Sequence, residues 1–152
     1  MASTIALARS GEPDFETMRL MIVDDHPGVR KLIRQFVASA SDTVCECADG
    51  DEAIRKAFDF RPDAVTMDMR MPGTCGLTAT RALRAVHPAA RVVIVTSHDQ
   101  PGLDRAASDA GAEPEFAHRD RARCSGRTVR ECARSRCRDR AANGTACLRA
   151  HR

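Results

Sequence analysis

Arg19-Leu20-Met21-Ile22-Val23-Asp24-Asp25 is the stretch on which the fold turns. Four apolar residues run without interruption into paired acids, which suits a strand buried on both faces whose carboxyl end emerges at a site. Pro27 suits an opening helical turn, and Val29, Leu32, Ile33, Phe36 and Val37 then recur at the three- and four-residue spacing of one helix face. A strand followed at once by an amphipathic helix is half of a parallel crossover unit.

The same pattern repeats along the chain. Thr43-Val44-Cys45-Glu46-Cys47 reads as a short strand, Asp49-Gly50 as a turn, and Ala53, Ile54, Ala57 and Phe58 as the buried side of a second helix that Pro62 ends. Ala64-Val65-Thr66-Met67-Asp68 is a third strand that again stops at an acid, and Leu77, Leu83 and Val86 mark a helix closed by His87-Pro88. Arg91-Val92-Val93-Ile94-Val95-Thr96 is the fourth strand, and Leu103, Ala106, Ala107 and Ala110 form a weaker helix running to Gly111. Strict strand–helix alternation predicts an α/β fold with a doubly wound parallel sheet and right-handed crossovers.

The flanks read differently. Residues 1–17 carry Ser, Gly, Pro and acids without periodicity and are expected to be a flexible leader, with order beginning near Met18. Residues 1–118 hold 13 Lys/Arg against 18 Asp/Glu, whereas residues 119–152 hold 11 Arg against 3 acids, so the net charge of +3 describes neither part. Beyond Arg119 the larger aliphatic residues are Val129 and Leu148, too few to cover a sheet face or build a core. A disordered Arg/Cys-rich tail without an output domain is expected there. Its charge would permit contacts with nucleic-acid phosphates, but a solvated basic tail is the more common case, so nucleic acid is not an expected partner.

Four of the seven cysteines lie in this tail at gaps that fit no paired-ligand zinc pattern, and reduced, unpaired thiols are expected throughout. The apolar runs are strand-sized, far below the ~20 residues of a membrane span. No signal-peptide pattern opens the chain, and a cytoplasmic protein is expected.

In a parallel sheet of this kind, ligands bind beyond the carboxyl ends of the strands. Asp24, Asp25 and Asp68 end two strands that the topology can make neighbours. Two unit charges ~4 Å apart repel by about 4 kcal/mol at an effective dielectric of about 20, so gathering three carboxylates calls for a counter-charge. Mg²⁺, a hard cation taking oxygen ligands and retaining several waters, suits such a site and leaves room for phosphate oxygens. Asp68, alone at its strand end, is the candidate nucleophile toward phosphorus. Thr96 and Ser97 offer hydroxyl donors to a phosphoryl oxygen, and Met71-Pro72-Gly73 supplies a turn able to bring the Arg70 carbonyl toward a metal. Each acid or hydroxyl taken singly reads equally well as a cap or loop residue; their joint placement at successive strand ends carries the functional reading.

Leu20 to Pro27, Asp49-Gly50-Asp51-Glu52-Ala53, Pro62 to Gly73 and Val92 to Ser97 together closely resemble the response-regulator receiver family, in order and spacing, over about a hundred residues. That resemblance implies a receiver domain over 18–118 with a flavodoxin-like sheet of strand order 2-1-3-4-5. It implies Asp68 as phosphoacceptor, Asp25 as a direct Mg²⁺ ligand, Asp24 as a ligand acting directly or through water, Arg70 as the backbone-carbonyl ligand, and Thr96 as the switch hydroxyl. It further implies a histidine kinase or histidine phosphotransfer protein as donor, a downstream protein partner, and a signalling rather than enzymatic role.

The family pattern then departs. A receiver has an apolar fifth strand ending in a phosphate-contacting lysine, followed by an amphipathic fifth helix. Here His118 falls at the lysine by spacing, and Arg119 replaces it by charge, while the aromatic switch position falls on Glu115 or Phe116. An Arg binds phosphate without reproducing a compact ammonium. The competing expectation is therefore a degenerate receiver acting as a phosphorylation-independent interaction module. A phosphoaspartyl hydrolase would want a second acid where Arg70 stands, and a flavin site would want a Ser/Thr/Gly-rich loop after the first strand and an aromatic stacking partner; the chain has no Trp or Tyr.

Overall fold

Three wholly or almost wholly buried strands carry the core of the computed structural model: β1 (Arg19–Val23), β3 (Ala64–Asp68) and β4 (Arg91–Thr96). The structure describes residues 17–38, 42–96 and 101–113, together with the backbone of 117–118, 123–124 and 127–128. β2 (Thr43–Cys47) lies at the edge and the two-residue β5 (Ala117–His118) at the other, giving a parallel sheet of order β2-β1-β3-β4-β5. The expected strand order is thus the observed one. Two further two-residue strands, β6 (Arg123–Cys124) and β7 (Arg127–Thr128), pair antiparallel with each other. Residues 1–16 and most of the basic tail, where the family's fifth helix would fall, lie outside the described residues.

Side-chain alternation divides the strands between two apolar layers. Met21, Val23, Val65, Met67, Val92 and Ile94 point to one face, where they meet Ala53 and Ala57 of α2 (Gly50–Phe60), Ala79 and Leu83 of α3 (Gly76–Val86), and Ala107 of α4 (Leu103–Asp109). Leu20, Ile22, Ala64, Val93 and Val95 point to the other, against Ile33 and Val37 of α1 (Pro27–Val37). Burying each larger side chain contributes about 1.5–3 kcal/mol, which explains why β1, β3 and β4 are apolar between their ends except at Thr66.

The helices are narrower than their apolar patterns predict. Ile33 and Val37 turn inward from α1, but Leu32 and Phe36, one residue earlier on each turn, are 50% and 67% exposed. Phe58 on α2 is likewise 74% exposed. An eleven-residue helix lying on a sheet covers only the stripe beneath it, and the alanines at 53 and 57 bring α2 close enough that its flanking positions clear the sheet.

Asp49-Gly50, expected as a turn, is instead the start of α2. Asp49 caps it, its carboxylate accepting from the Glu52 N–H at 2.7 Å, while the Glu52 carboxylate accepts from the Ala48 N–H at 2.6 Å. Gly50 is required there by close approach, since a Cβ would stand 2.8 Å from the Ala79 Cβ and 3.0 Å from the Thr74 carbonyl oxygen. The helix stops at Arg61, held at φ 48°, and Pro62 follows. At the opposite end of the sheet Arg91 and Glu113 form a largely buried pair at 2.9 Å, and the Glu113 N–H donates to the Val92 carbonyl at 2.8 Å, directing the chain out of α4 along β4. Among the described residues no helix is long and apolar enough to cross a membrane.

Candidate functional site

Parallel pairing of β1 with β3 sets Val23 beside Met67, so the residues that follow, Asp24 and Asp68, emerge side by side. Asp24 is fully buried and Asp68 is 3% exposed. One carboxylate oxygen from each of Asp24, Asp25 and Asp68 lies within 4.8 Å of the others, with Asp25 the most exposed of the three. The structure thus brings together the three acids singled out in the sequence.

Asp24 is anchored through all of its polar groups. Its N–H donates to the Cys47 carbonyl at 3.2 Å, extending the β1–β2 ladder by one rung, and its Oδ1 accepts from the His26 N–H at 2.9 Å. Its main-chain carbonyl accepts from Arg30 Nη1 at 2.7 Å. His26 is exposed and serves as the N-cap of α1, its carbonyl accepting from the N–H groups of Val29 and Arg30.

This donor set consists only of oxygens, two of its three carboxylates are buried, and like charges at this separation repel by several kcal/mol at an effective dielectric of about 20. Those properties fit a hard divalent cation of the Mg²⁺ class and do not fit a soft one.

The loop from β3 to α3 frames the same edge. Met71 turns inward, Gly73 adopts φ 79°, and the Gly76 N–H returns to the Met69 carbonyl at 3.2 Å. Arg70 sits within this turn with its side chain in solvent. Thr74 fastens the loop to α2 by donating its hydroxyl to Asp51 at 2.8 Å. Gly76, the first residue of α3, passes so near β3 that a Cβ would stand 2.0 Å from the Asp68 carbonyl oxygen.

Thr96 ends β4, 7% exposed, one residue beyond the Asp68–Val95 pair. Ser97, Glu115, Phe116 and Arg119 lie outside the described residues. The backbone of His118 pairs with Thr96 in β5, so His118 occupies the end of the fifth strand. Cys75 is the N-cap of α3; hydrogen bonding from the Thr78 hydroxyl, with help from nearby backbone N–H groups and Arg81, lowers its thiol pKa.

Three contributors escaped the sequence reading: Arg30, the Asp51–Thr74 bond and Gly76. Arg30 falls between apolar positions of α1, and no local pattern reveals which strand end it reaches. Asp51 and Thr74 are separated by 23 residues and meet only because α2 packs on α3. Gly76 alone left a trace, as a glycine at a helix start.

A parallel α/β sheet with clustered acids at the ends of β1 and β3 and a hydroxyl at the end of β4 defines a class of α/β folds that carry their site at the carboxyl edge of the sheet, and the comparisons narrow it. Residues 20–116 match the response regulator receiver domain family, and the chain belongs to that family. The "Response regulator GacA" of Pseudomonas viridiflava is 38% identical over 97 residues, 62% of this chain and 45% of that protein. A solved LuxR-family two-component response regulator from an Aurantimonas species is 38% identical with a TM-score of 0.60, covering 67% of this chain and 72% of that one. A CheX–CheY–BeF₃–Mg²⁺ complex from Borrelia burgdorferi contains a chain 26% identical with a TM-score of 0.61, covering 66% and 77% respectively. The chain spans about half the length of the curated relatives it matches. As a receiver, it is a signalling domain of two-component response regulators.

Proposed function

We propose that residues 18–118 form a phospho-accepting receiver in which Asp68 takes a phosphoryl group from a phosphohistidine on a histidine kinase or histidine phosphotransfer protein. The observation that carries this reading is the convergence of the Asp24, Asp25 and Asp68 carboxylates within 4.8 Å at adjoining strand ends. A carboxylate oxygen of Asp68 attacks phosphorus, the P–N bond breaks with its electron pair going to the imidazole nitrogen, and an acyl phosphate remains on Asp68. Asp25, Asp24 (directly or through water), Asp68 and the Arg70 carbonyl are the residues to hold Mg²⁺, which when bound neutralises charge on the transferring group. The Thr96 hydroxyl, with Ser97, then donates to a phosphoryl oxygen and couples the site to the adjoining edge of the sheet. A protein partner reading that edge provides the output, and the setting is cytoplasmic. A magnesium-containing complex of a similar chain supports the cation.

Intact-mass spectrometry after incubation with Mg²⁺ and acetyl phosphate tests the assignment. A single phosphoryl adduct is expected on the parent and none on Asp68→Asn, with both proteins folded; an adduct retained on the variant would place the acceptor elsewhere.

A second reading is a phosphorylation-independent interaction module. It is favoured by His118 ending β5 in register with Thr96, where the family carries lysine. An imidazole lacks the permanently charged, compact ammonium that would pair with a phosphoryl oxygen. This reading expects a folded parent that takes no adduct.

A further inference from the structure

We infer that Arg30 is a positioning residue for the cation site, its guanidinium orienting the Asp24–Asp25 peptide so that both carboxylates converge on Asp68. The inference rests on the reading of those three acids as cation ligands. Arg30 Nη1 donates to the Asp24 carbonyl at 2.7 Å, and Arg30 Nε donates to Glu46 Oε2 on β2 at 3.3 Å. The side chain is only 17% exposed, and its own N–H donates to the His26 carbonyl at 3.1 Å, so Arg30 grips both sides of the turn that carries Asp24 and Asp25. Glu46 is fixed in turn by Arg34 at 3.3 Å through its other oxygen, and by Lys56, which donates to its carbonyl at 3.1 Å.

The geometry makes this contact specific. Asp24 is held at its N–H by β2 and at its carboxylate by His26, both main-chain contacts that follow from the strand and the helix start. The carbonyl is held by a side chain, and the peptide plane that begins there sets the direction in which Asp25, the most exposed ligand, leaves β1. A planar fork reaches two acceptors at a fixed angle, which an ammonium on a flexible stem does not. Residues that orient ligands from behind commonly alter metal affinity on the order of 10–100-fold when changed.

Plain electrostatics predicts the opposite sign. A cation beside three acids opposes the entry of a second cation, so if Arg30 acted by charge alone its removal would tighten Mg²⁺ binding. The test is a Mg²⁺ titration of the full chain followed by ¹⁵N–¹H amide shifts, because the absence of Trp and Tyr leaves no useful intrinsic fluorescence. Positioning expects Arg30→Ala and Arg30→Lys both to bind Mg²⁺ on the order of 10–100-fold more weakly, with circular dichroism like the parent's. Glu46→Gln, which keeps Arg30 and loosens its anchor, is expected to weaken binding by a smaller factor. Equal or tighter binding by Arg30→Ala, or parent-like binding by Arg30→Lys, overturns the inference. If Arg30→Ala fails to fold, Arg30→Lys and Glu46→Gln decide it alone. A parent that shows no Mg²⁺-dependent shifts overturns the cation-site reading instead, an outcome separate from a parent that binds and variants that match it.

Discussion

Cys47 and Cys75 show how far neighbours in the fold change one side chain's chemistry. Cys47 lies 1% exposed on the α2 face of the edge strand, and burial, followed by the neighbouring Cys45 thiol, raises its pKa from 9.0 to about 12. Below pH 9 the thiol is protonated in both folded and unfolded chains, and its contribution to stability is fully present. Between pH 9 and about 12 the unfolded chain releases this proton while the native state retains it, so stability falls as pH rises. Cys47→Ala, although less stable at neutral pH, is expected to lose stability less steeply over that window in urea unfolding at a series of pH values. Equal slopes for the two proteins would show that Cys47 does not titrate differently on folding.

Where α3 starts is decided by how closely a helix can approach a strand end. Gly76 leaves no room for a Cβ against the Asp68 carbonyl, and a backbone atom of a central strand has no easy way to yield. Gly76→Ala is therefore expected to cost about 3 kcal/mol or more, at the upper end of overpacking penalties. Gly28 in α1, whose added Cβ would meet nothing within 4 Å, provides the contrast. Gly28→Ala is expected to stabilise by about 0.5–1 kcal/mol, as alanine does for glycine in a helix. Chemical denaturation of the two variants checks both signs at once, and a small effect at Gly76 would mean that α3 stands farther from β3 than 2.0 Å to a Cβ implies. Such approaches also separate pattern from packing in the helices. Leu32, Phe36 and Phe58 have the spacing of buried positions, yet they are exposed because each eleven-residue helix covers only the stripe beneath it, set by Ile33 and Val37 in α1 and by Ala53 and Ala57 in α2.

Across the molecule, the sheet supplies stability that its carboxyl edge partly gives up. Two apolar layers hold β1 and β3 together and thereby hold Asp24 beside Asp68 with Asp25 close by. In metal-free buffer, Asp25→Asn is expected to raise stability by about 1 kcal/mol, the aqueous value for a charge pair near 4 Å, because Asp25 is the most exposed of the three acids. With Mg²⁺ at 100 times its dissociation constant, the parent should gain about 2.7 kcal/mol by mass action, and the variant much less. Thermal melts with and without Mg²⁺ therefore should cross, the variant being more stable without the ion and less stable with it. Melts of the parent that ignore Mg²⁺ would count against the cation site.

Much of this architecture was legible in the chain alone. Leu20 to Val23, Ala64 to Met67 and Val92 to Val95 are strands because a strand covered on both faces excludes polar residues locally, and local composition is what a sequence displays. The acids at 24, 25 and 68 and the hydroxyl at 96 were legible for the same reason, since each directly follows or ends such a run. Tertiary structure decided everything that depends on distance between segments: the start of α2 at Gly50, the exposure of Phe36 and Phe58, the Asp51–Thr74 fastening and the clamp of Arg30 on Asp24. These follow from how closely elements remote in sequence approach, a property of packed volumes that periodicity along one element does not encode.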